Sequence, residues 1–309
     1  MLGLESEIMD IPESAVRCFE ENKKMKLPIE VFYLGMGSSY YAPLTLFYAA
    51  QPIFPQIASE YANYLSTKTE TTGVLISQSG ESSETLWCAK LFKNIITITN
   101  NPKSSLAQMK NVSKNIDITA GTEKYSSTKT YINTLLCLYI GLGFNPQKAL
   151  EALRVNFSTM KKLAEEEAQK VYSYIKNKKA KSFYIVGSGP NIGTAYEGAL
   201  TLSETTKLTW VSLPVAQYDH GPKETADGSV VVILNSQGKD LARIKAIKKL
   251  LNKKSNAHVA EMIESKLPEV FSPITLITKL NFFMNKLADL LEVGNTFNLG
   301  GKVTTFQKP

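Results

Sequence analysis

The densest group of side chains that can do chemistry is the run Ser77-Gln-Ser-Gly-Glu-Ser82. It follows an apolar run at residues 74–76, which is typical of a buried strand, and it leads into a segment with helical character. Backbone amides at a strand-to-helix turn attract an anion, and the serine hydroxyls add further donors. Gly80 lets a ligand approach the backbone closely. The run therefore predicts a site for a phosphate monoester, and the plainer alternative is a serine that only caps the helix.

A second turn of this kind, Gly35-Met-Gly-Ser-Ser39, follows the apolar residues 31–34. Ligands of open α/β sheets bind beyond the carboxyl ends of strands, so two neighbouring turns can share one ligand. A dinucleotide site is the competing interpretation. This turn lacks the third glycine of the dinucleotide fingerprint, and in the second half of the chain Gly193 follows Gly187 and Gly189 one residue too late. The spacing therefore disfavours a nicotinamide cofactor.

Six segments together resemble the sugar isomerase (SIS) family, and in particular the isomerase domain of the glutamine–fructose-6-phosphate aminotransferases. The resemblance extends over nearly the whole chain and depends on the order of the motifs as much as on any one of them. The segments are GSS at 37–39, SQSGES at 77–82, AGTE at 120–123 with SSTK at 126–129, EGALTLSE at 197–204, HGP at 220–222 and NLGGKVT at 298–304.

The resemblance implies a role for each matching residue. Glu204 matches the general base that moves a proton between C1 and C2 of the sugar, and a carboxylate suits that transfer through an enediol. His220 matches the group for ring opening, which in this family comes from the neighbouring subunit, so a homodimer is implied. Lys302 resembles a tail lysine that helps to open the sugar or forms a transient Schiff base. The residues implied to hold the phosphate and the sugar hydroxyls are Ser38, Ser39, Ser77, Gln78, Ser79, Ser82 and Ser127.

Three departures from the family pattern limit this transfer. Ser203 stands where the aminotransferases have lysine, and Lys302 lies one residue later than the matching lysine, closer to the endings of related amino-sugar-phosphate deaminases and isomerases. Met1 is followed by Leu2 and not by a cysteine nucleophile, so we expect no glutaminase domain. The implied substrate is a hexose 6-phosphate, of the fructose 6-phosphate or glucosamine 6-phosphate type. Isomerisation, deamination and ammonia-dependent amination remain open.

Two functions from other classes are also open. The first is a regulator that binds a sugar phosphate without turnover. The second is the sugar half of a split synthase that takes a separate glutaminase as its partner. The retention of Glu204 and His220 disfavours the regulator, because binding alone requires neither residue. The resemblance implies no cofactor and no metal.

Short runs rich in Val, Ile, Tyr and Phe alternate with longer amphipathic stretches, which indicates βαβ units and parallel sheets. The expected fold class is α/β, with two SIS subdomains that are each a parallel sheet flanked by helices, doubly wound and flavodoxin-like. The predicted strands are residues 31–34, 74–77, 95–99 and 115–118 in the first half, and 183–186, 229–234, 256–260 and 274–277 in the second.

The predicted domains are a helical segment at 1–27, broken near Pro12, a first SIS domain at 28–150, and a last part at 151–309. That last part comprises a bridging helix, with helical periodicity between residues 146 and 181, the second SIS domain and the tail. The turn after residue 234, Asn235-Ser-Gln-Gly238, lacks the Ser-x-Ser arrangement of the first half. We therefore expect a single phosphate site per chain, in the first half.

Composition excludes several other classes of protein. The 309 residues carry a net charge of +7 that is almost all lysine, with arginine only at 17, 154 and 243, which disfavours a nucleic-acid reader. Three cysteines and two histidines without ligand spacing disfavour a zinc site. The longest apolar stretch, residues 135–144, is too short to span a membrane, and the first ten residues have no signal-peptide pattern. We expect a cytoplasmic protein.

Overall fold

A computed structural model describes residues 3–67, 69–178, 180–293, 297, 299–300 and 303. The chain forms two compact units. One is built mainly from Glu13–Glu123 and Lys129–Pro146 and is called the β1–β5 unit below. The other is built mainly from Gln147–Thr296 with Lys124–Thr128 and the N-terminal helix, and is called the β6–β9 unit.

Helices and strands alternate along most of the chain, with short π-helical or 3₁₀ segments at Tyr61–Leu65, Pro222–Thr225 and Glu269–Phe271. In chain order the elements are α1 (Leu4–Met9), α2 (Ile11–Asn22), β1 (Phe32–Gly35), α3 (Ser38–Phe47), β2 (Phe54–Ile57), α4 (Ala58–Glu60), β3 (Glu70–Ile76), α5 (Ser83–Ala89), β4 (Phe92–Thr99), β5 (Val112–Asp117), α6 (Lys129–Gly141), α7 (Gln147–Lys178), β6 (Ser182–Gly187), α8 (Asn191–Thr206), β7 (Trp210–Pro214), α9 (Val215–Asp219), β8 (Ser229–Asn235), α10 (Leu241–Lys254), β9 (His258–Ile263) and α11 (Ser272–Leu290).

Each unit contains one sheet whose paired strands all run parallel. The β1–β5 unit has the strand order β2-β1-β3-β4-β5, with Leu34 opposite Leu75 in the β1–β3 pair. The β6–β9 unit has the order β7-β6-β8-β9, with Val186 opposite Ile233. The first order is that of flavodoxin-like folds, and in both sheets the direction of winding reverses beside the first strand. The predicted α/β fold with two parallel sheets is confirmed.

The central strands form because their apolar residues are continuous and are buried on both faces, as parallel sheets require. Every residue of β8 is buried, and Val231 and Ile233 pack against Ile247 of α10. In the other unit Leu75 of β3 packs with Leu86 of α5. These layers hold the carboxyl ends of the strands in fixed positions, and the serines of the 35–39 and 77–82 turns follow two of these ends.

The structure corrects the prediction of a strand at 274–277, because these residues belong to α11. That helix packs against α7 and α8, and most of its residues are buried, so its apolar residues do not alternate with exposed polar ones. A short apolar run of this kind has no visible helical period. Pro273 lies in the first turn of α11, where a proline is compatible with a helix.

Two strands, β2 and β7, were not predicted. Both lie at an edge of their sheet, and each contains a proline, Pro55 in β2 and Pro214 in β7. Proline donates no backbone hydrogen bond, so a strand that contains it is confined to an edge and carries a weak sequence signal.

The remaining helical predictions are confirmed. The N-terminal segment is helical and breaks at Asp10, next to the predicted break near Pro12. The periodicity between residues 146 and 181 forms a single helix, α7. The domain boundaries drawn from the sequence stay a prediction. Among the described residues, no helix combines the length and the apolarity needed to cross a membrane.

Candidate functional site

Two polar turns lie at neighbouring strand ends on the carboxyl edge of the β1–β5 sheet. The 35–39 turn follows β1 and the 77–82 turn follows β3, and these two strands are paired neighbours. Because β2 lies on one side of β1 and β3 on the other, the strand order reverses here, and the crevice beside such a reversal is where open α/β sheets bind ligands. The fold thus brings six predicted binding residues to neighbouring strand ends. They are Ser38, Ser39, Ser77, Gln78, Ser79 and Ser82.

The serines of the 77–82 turn divide into one that is buried and two that reach the surface. Ser77 is only 2% exposed, and its Oγ accepts a hydrogen bond from the Gly80 amide at 3.1 Å and donates one to Ser82 Oγ at 3.3 Å. Ser79 and Ser82 are half-buried, and Ser79 Oγ accepts from the Glu81 amide at 3.2 Å. Ser77 therefore shapes the turn, whereas Ser79 and Ser82 are the serines of the turn that solvent partly reaches.

Gly80 is required by the packing of this turn. Its φ is +68°, and a Cβ atom at this position would lie 2.0 Å from Ser104 Oγ. The segment after β4 holds the turn from the same side, because the Asn100 amide donates to the Gln78 carbonyl at 3.0 Å and the Leu106 amide donates to the Gly80 carbonyl at 3.0 Å. The turn is thus fixed in shape before any ligand arrives.

The 35–39 turn has a similar construction. Gly37 has a φ of +51°, and its carbonyl accepts from the amides of Tyr40 and Tyr41 as α3 begins. A Cβ atom on Gly35 would lie 2.6 Å from the Ser39 carbonyl oxygen, so glycine permits the close return of the chain. Ser38 and Ser39 are half-buried in the first turn of α3.

Glu204, the predicted base, lies in the last turn of α8 and is half-buried. Burial raises the pKa of its carboxyl above the ordinary value, while a hydrogen bond with Ser126 and the positive charge of Lys207 lower it to a smaller extent. The shift upward moves the carboxyl toward the range in which a general base works at neutral pH.

Ser126 is a residue that the sequence prediction missed. The predicted contact of this segment was Ser127, which is half-buried, but the hydroxyl next to Glu204 is that of Ser126. Ser126 is 6% exposed, and its Oγ lies 3.1 Å from Thr205 Oγ1 on the same helix as Glu204. The only signal in the sequence was the SSTK segment, in which two adjacent serines cannot be told apart by spacing.

The two remaining predicted catalytic residues have different outcomes. His220 is exposed at the end of α9, and its amide donates to the Ala216 carbonyl at 3.1 Å. A Cβ atom on the next residue, Gly221, would meet nothing within 4 Å, so the chain around His220 is open. Lys302 lies outside the described residues. Among the described residues, no cluster of three or more histidine, cysteine or acidic side chains is arranged to hold a metal ion.

Comparison with known proteins identifies the sheet that carries these turns. Residues 30–140 match the model of the SIS domain. The chain carries an SIS domain. The resemblance to this family that six motifs suggested is therefore confirmed, and the matched region contains both the 35–39 turn and the 77–82 turn.

Curated relatives and solved structures are similar to this chain. The glutamine–fructose-6-phosphate aminotransferase (isomerizing) of Sulfolobus acidocaldarius is 29% identical over 240 residues, which cover 71% of this chain and 39% of that protein. The C-terminal domain of glucosamine-fructose-6-phosphate aminotransferase from Francisella tularensis has a similar fold, with a TM-score of 0.79 at 20% identity over 94% of this chain and 96% of that one.

The glucosamine-6-phosphate deaminase of Thermotoga maritima is also similar in fold, with a TM-score of 0.73 at 18% identity over 93% of this chain and 94% of that one. The chain spans less than half the length of the curated relatives it matches. At such low sequence identities the structural similarity establishes the fold and does not establish the reaction.

Proposed function

We propose that the chain is a phosphosugar isomerase that acts on hexose 6-phosphates, with the phosphate bound at the β1–β3 edge and the proton moved by Glu204. The observation that carries the proposal is the pair of preformed polar turns at the point where the strand order of the SIS domain reverses. Sugar-phosphate enzymes among its relatives and its structural neighbours support the same substrate class.

The phosphate part of the proposal depends on the 77–82 turn. Ser79 and Ser82 are only half-buried, and Gly80 keeps the backbone free of a side chain where the turn bends. A phosphate monoester needs several hydrogen-bond donors at short range, and hydroxyls and amides supply them without a fixed positive charge. Ser38 and Ser39 at the neighbouring strand end would add donors to the same ligand.

The proton-transfer part depends on Glu204. In an aldose–ketose isomerisation a base removes the proton from the carbon beside the carbonyl, which leaves an enediol, and returns the proton to the adjacent carbon. A carboxylate with a raised pKa is a stronger base than an ordinary one. The same transfer through an enolamine would serve an amino sugar, so deamination and ammonia-dependent amination belong to the same proposal.

The decisive experiment follows, by NMR, the exchange with solvent deuterium of the proton at C2 of the aldose phosphates and at C1 of fructose 6-phosphate. Glucose 6-phosphate, glucosamine 6-phosphate, and fructose 6-phosphate with ammonia are each incubated with the protein. We expect exchange with at least one of them, and we expect Glu204→Gln to abolish it while phosphosugar binding persists. The matched control is Glu151→Gln, an exposed glutamate on α7, which should leave exchange unchanged.

Three outcomes would contradict parts of the proposal. Thermal stabilisation by a hexose phosphate with no exchange under any condition would indicate a binding regulator and exclude catalysis. Exchange that survives intact in Glu204→Gln would exclude this residue as the base. Activity that appears only after a glutaminase is added with glutamine would indicate the sugar half of a split synthase.

We further propose that the active form is a homodimer in which His220 opens the sugar ring in the neighbouring subunit. The exposed side chain of His220 and the open chain at Gly221 support this role. Mixing Glu204→Gln with His220→Ala tests it. Random pairing of two inactive chains leaves one intact site in each mixed dimer, so about a quarter of the wild-type activity should return. If His220 acts within its own subunit, no activity returns.

A further inference from the structure

The β6–β9 sheet has its own pair of turns at the equivalent strand ends. Gly187-Ser-Gly189 follows β6 as Gly35-Met-Gly37 follows β1, and Asn235-Ser-Gln-Gly238 follows β8 as the 77–82 turn follows β3. Gly189 has a φ of +55°, close to the +51° of Gly37. A Cβ atom on Gly187 would lie 2.3 Å from the Asn191 carbonyl oxygen, as one on Gly35 would approach Ser39. The first turn of each pair thus has the same backbone conformation, whereas in the second turns the positive φ falls at Gly80 in one and at Gln237, with +52°, in the other.

At the β6–β8 edge this space is filled by a side chain of the protein itself, Glu269. Its Oε1 lies 1.7 Å from where a Cβ atom of Gly238 would be, and 3.5 Å from where that of Gly189 would be. Oε1 accepts a hydrogen bond from Ser236 Oγ at 3.2 Å, and Oε2 accepts one from the Lys239 amide at 3.4 Å. A hydroxyl and a backbone amide at the start of a helix are the donors that a bound anion would use.

A second carboxylate at the β6–β8 edge, that of Asp240, is paired with a cation, because Arg243 Nε lies 3.2 Å from its Oδ1. Asp240 precedes α10 as Ser82 precedes α5, and Asp240 Oδ2 accepts a hydrogen bond from Ser188 Oγ at 2.8 Å. The charge of Asp240 is balanced by Arg243, and the carboxylate seated on the donors of the turn is that of Glu269. At the other edge the neighbour of the corresponding glycine, Gly80, is the uncharged Ser104, which comes from the segment after β4 as Glu269 comes from the segment after β9.

We propose that the Glu269 carboxylate is the resident anion of the β6–β8 edge and occupies the position that a phosphate group would otherwise take. It closes this edge to anionic ligands, so of the two edges only the β1–β3 edge binds phosphate. The choice of phosphate as the excluded ligand rests on the proposed function. The occupation of the edge by Glu269 is independent of it.

The test is a variant that gives the β6–β8 edge the residues of the β1–β3 edge, Glu269→Ser with Asp240→Ser. Isothermal titration with inorganic phosphate measures the number of sites in the variant and in the wild type. We expect the variant to bind one phosphate more per chain than the wild type, whatever number the wild type binds. The control, Glu269→Gln with Asp240→Ser, keeps the space filled and should gain no site.

The outcomes separate this inference from the proposed function. A wild type that binds no phosphate contradicts the proposed function, while a gain of one site in the variant still supports the resident anion. A folded variant with no gain overturns the inference. If the variant does not fold, Glu269→Gln alone decides, because loss of the charge at these donors should lower the thermal midpoint by about 2 °C or more. An unchanged midpoint would overturn the inference.

Discussion

Gly80→Ala should destabilise the β1–β5 unit by much more than Gly121→Ala, although the two glycines have nearly the same backbone conformation. Their φ angles are +68° and +70°. Their surroundings differ, because a Cβ atom on Gly80 would lie 2.0 Å from Ser104 Oγ and 2.3 Å from Ser104 Cβ, whereas one on Gly121 would meet only Lys129 Nζ at 3.9 Å. Comparing the two alanine variants therefore separates the cost of backbone strain from the cost of steric overlap.

The expected magnitudes follow from these two terms. A residue with a Cβ atom in the left-handed region costs about 1–2 kcal/mol, and this applies to both variants. Overpacking a buried position costs a further ~1–3 kcal/mol, and this applies only to Gly80, because Ser104 is 1% exposed and has little room to move. Loss of unfolded-state entropy on replacing glycine is common to both and cancels in the comparison. Gly80→Ala should thus cost ~2–5 kcal/mol and Gly121→Ala ~1–2 kcal/mol.

Urea unfolding followed by tryptophan fluorescence measures the difference. The two tryptophans lie in different units, Trp87 in α5 and Trp210 in β7, so a Trp210→Phe background makes the signal specific to the β1–β5 unit. Adding Ser104→Gly to Gly80→Ala removes both clashing atoms, and the double-mutant cycle should then recover most of the excess cost. Equal costs for the two alanine variants, or no recovery in the cycle, would refute the steric reasoning.

Three further predictions follow from the titratable groups. Because the pKa of Glu204 is raised, the folded state prefers its neutral form, and the stability of the wild type falls as pH rises through that pKa. Glu204→Gln should therefore be more stable than the wild type at pH 8 and lose this advantage near pH 4. Urea unfolding midpoints at the two pH values measure the difference. Ser126→Ala removes a hydrogen bond that lowers that pKa, so the acid limb of the pH–rate profile should move to higher pH, and an unmoved limb would contradict the contact. Thiol titration with a chromogenic disulfide should be slow in the native protein and rapid in urea, because all three cysteines are buried, and fast native labelling would contradict this. These residues are Cys18, Cys88 and Cys137.

The central strands and the site turns of the β1–β5 sheet could be predicted because their signals are local. A continuous apolar run such as that of β8 indicates a strand buried on both faces, and the polar turn that follows β3 is visible in a few consecutive residues. The edge strands β2 and β7 gave no such signal, because they are partly exposed and contain proline. The helix α11 was mistaken for a strand because its apolar residues are buried on nearly all sides.

The contacts that tune the candidate residues could not be predicted, since they join distant parts of the chain. Ser126 reaches the helix of Glu204 across 79 positions, and no spacing rule connects them. Glu269 lies about thirty positions beyond the turn that it fills, in a short 3₁₀ segment with no motif of its own. The sequence motifs identified Glu204 and the 235–238 turn, but the fold determines which side chain contacts each of them.

The turn at 77–82 predicts a phosphate site and the equivalent turn at 235–238 does not, and the two turns differ in the side chain that packs against their glycine. Both turns have a glycine that admits a neighbouring side chain against the backbone, but that neighbour is the uncharged Ser104 in one sheet and the anionic Glu269 in the other. A carboxylate seated on amide and hydroxyl donors satisfies them and repels a second anion, whereas a serine leaves the potential of the turn unchanged. In the proposal above, phosphate binding at such an edge depends on one residue in the segment after the next strand, which the turn motif itself does not include.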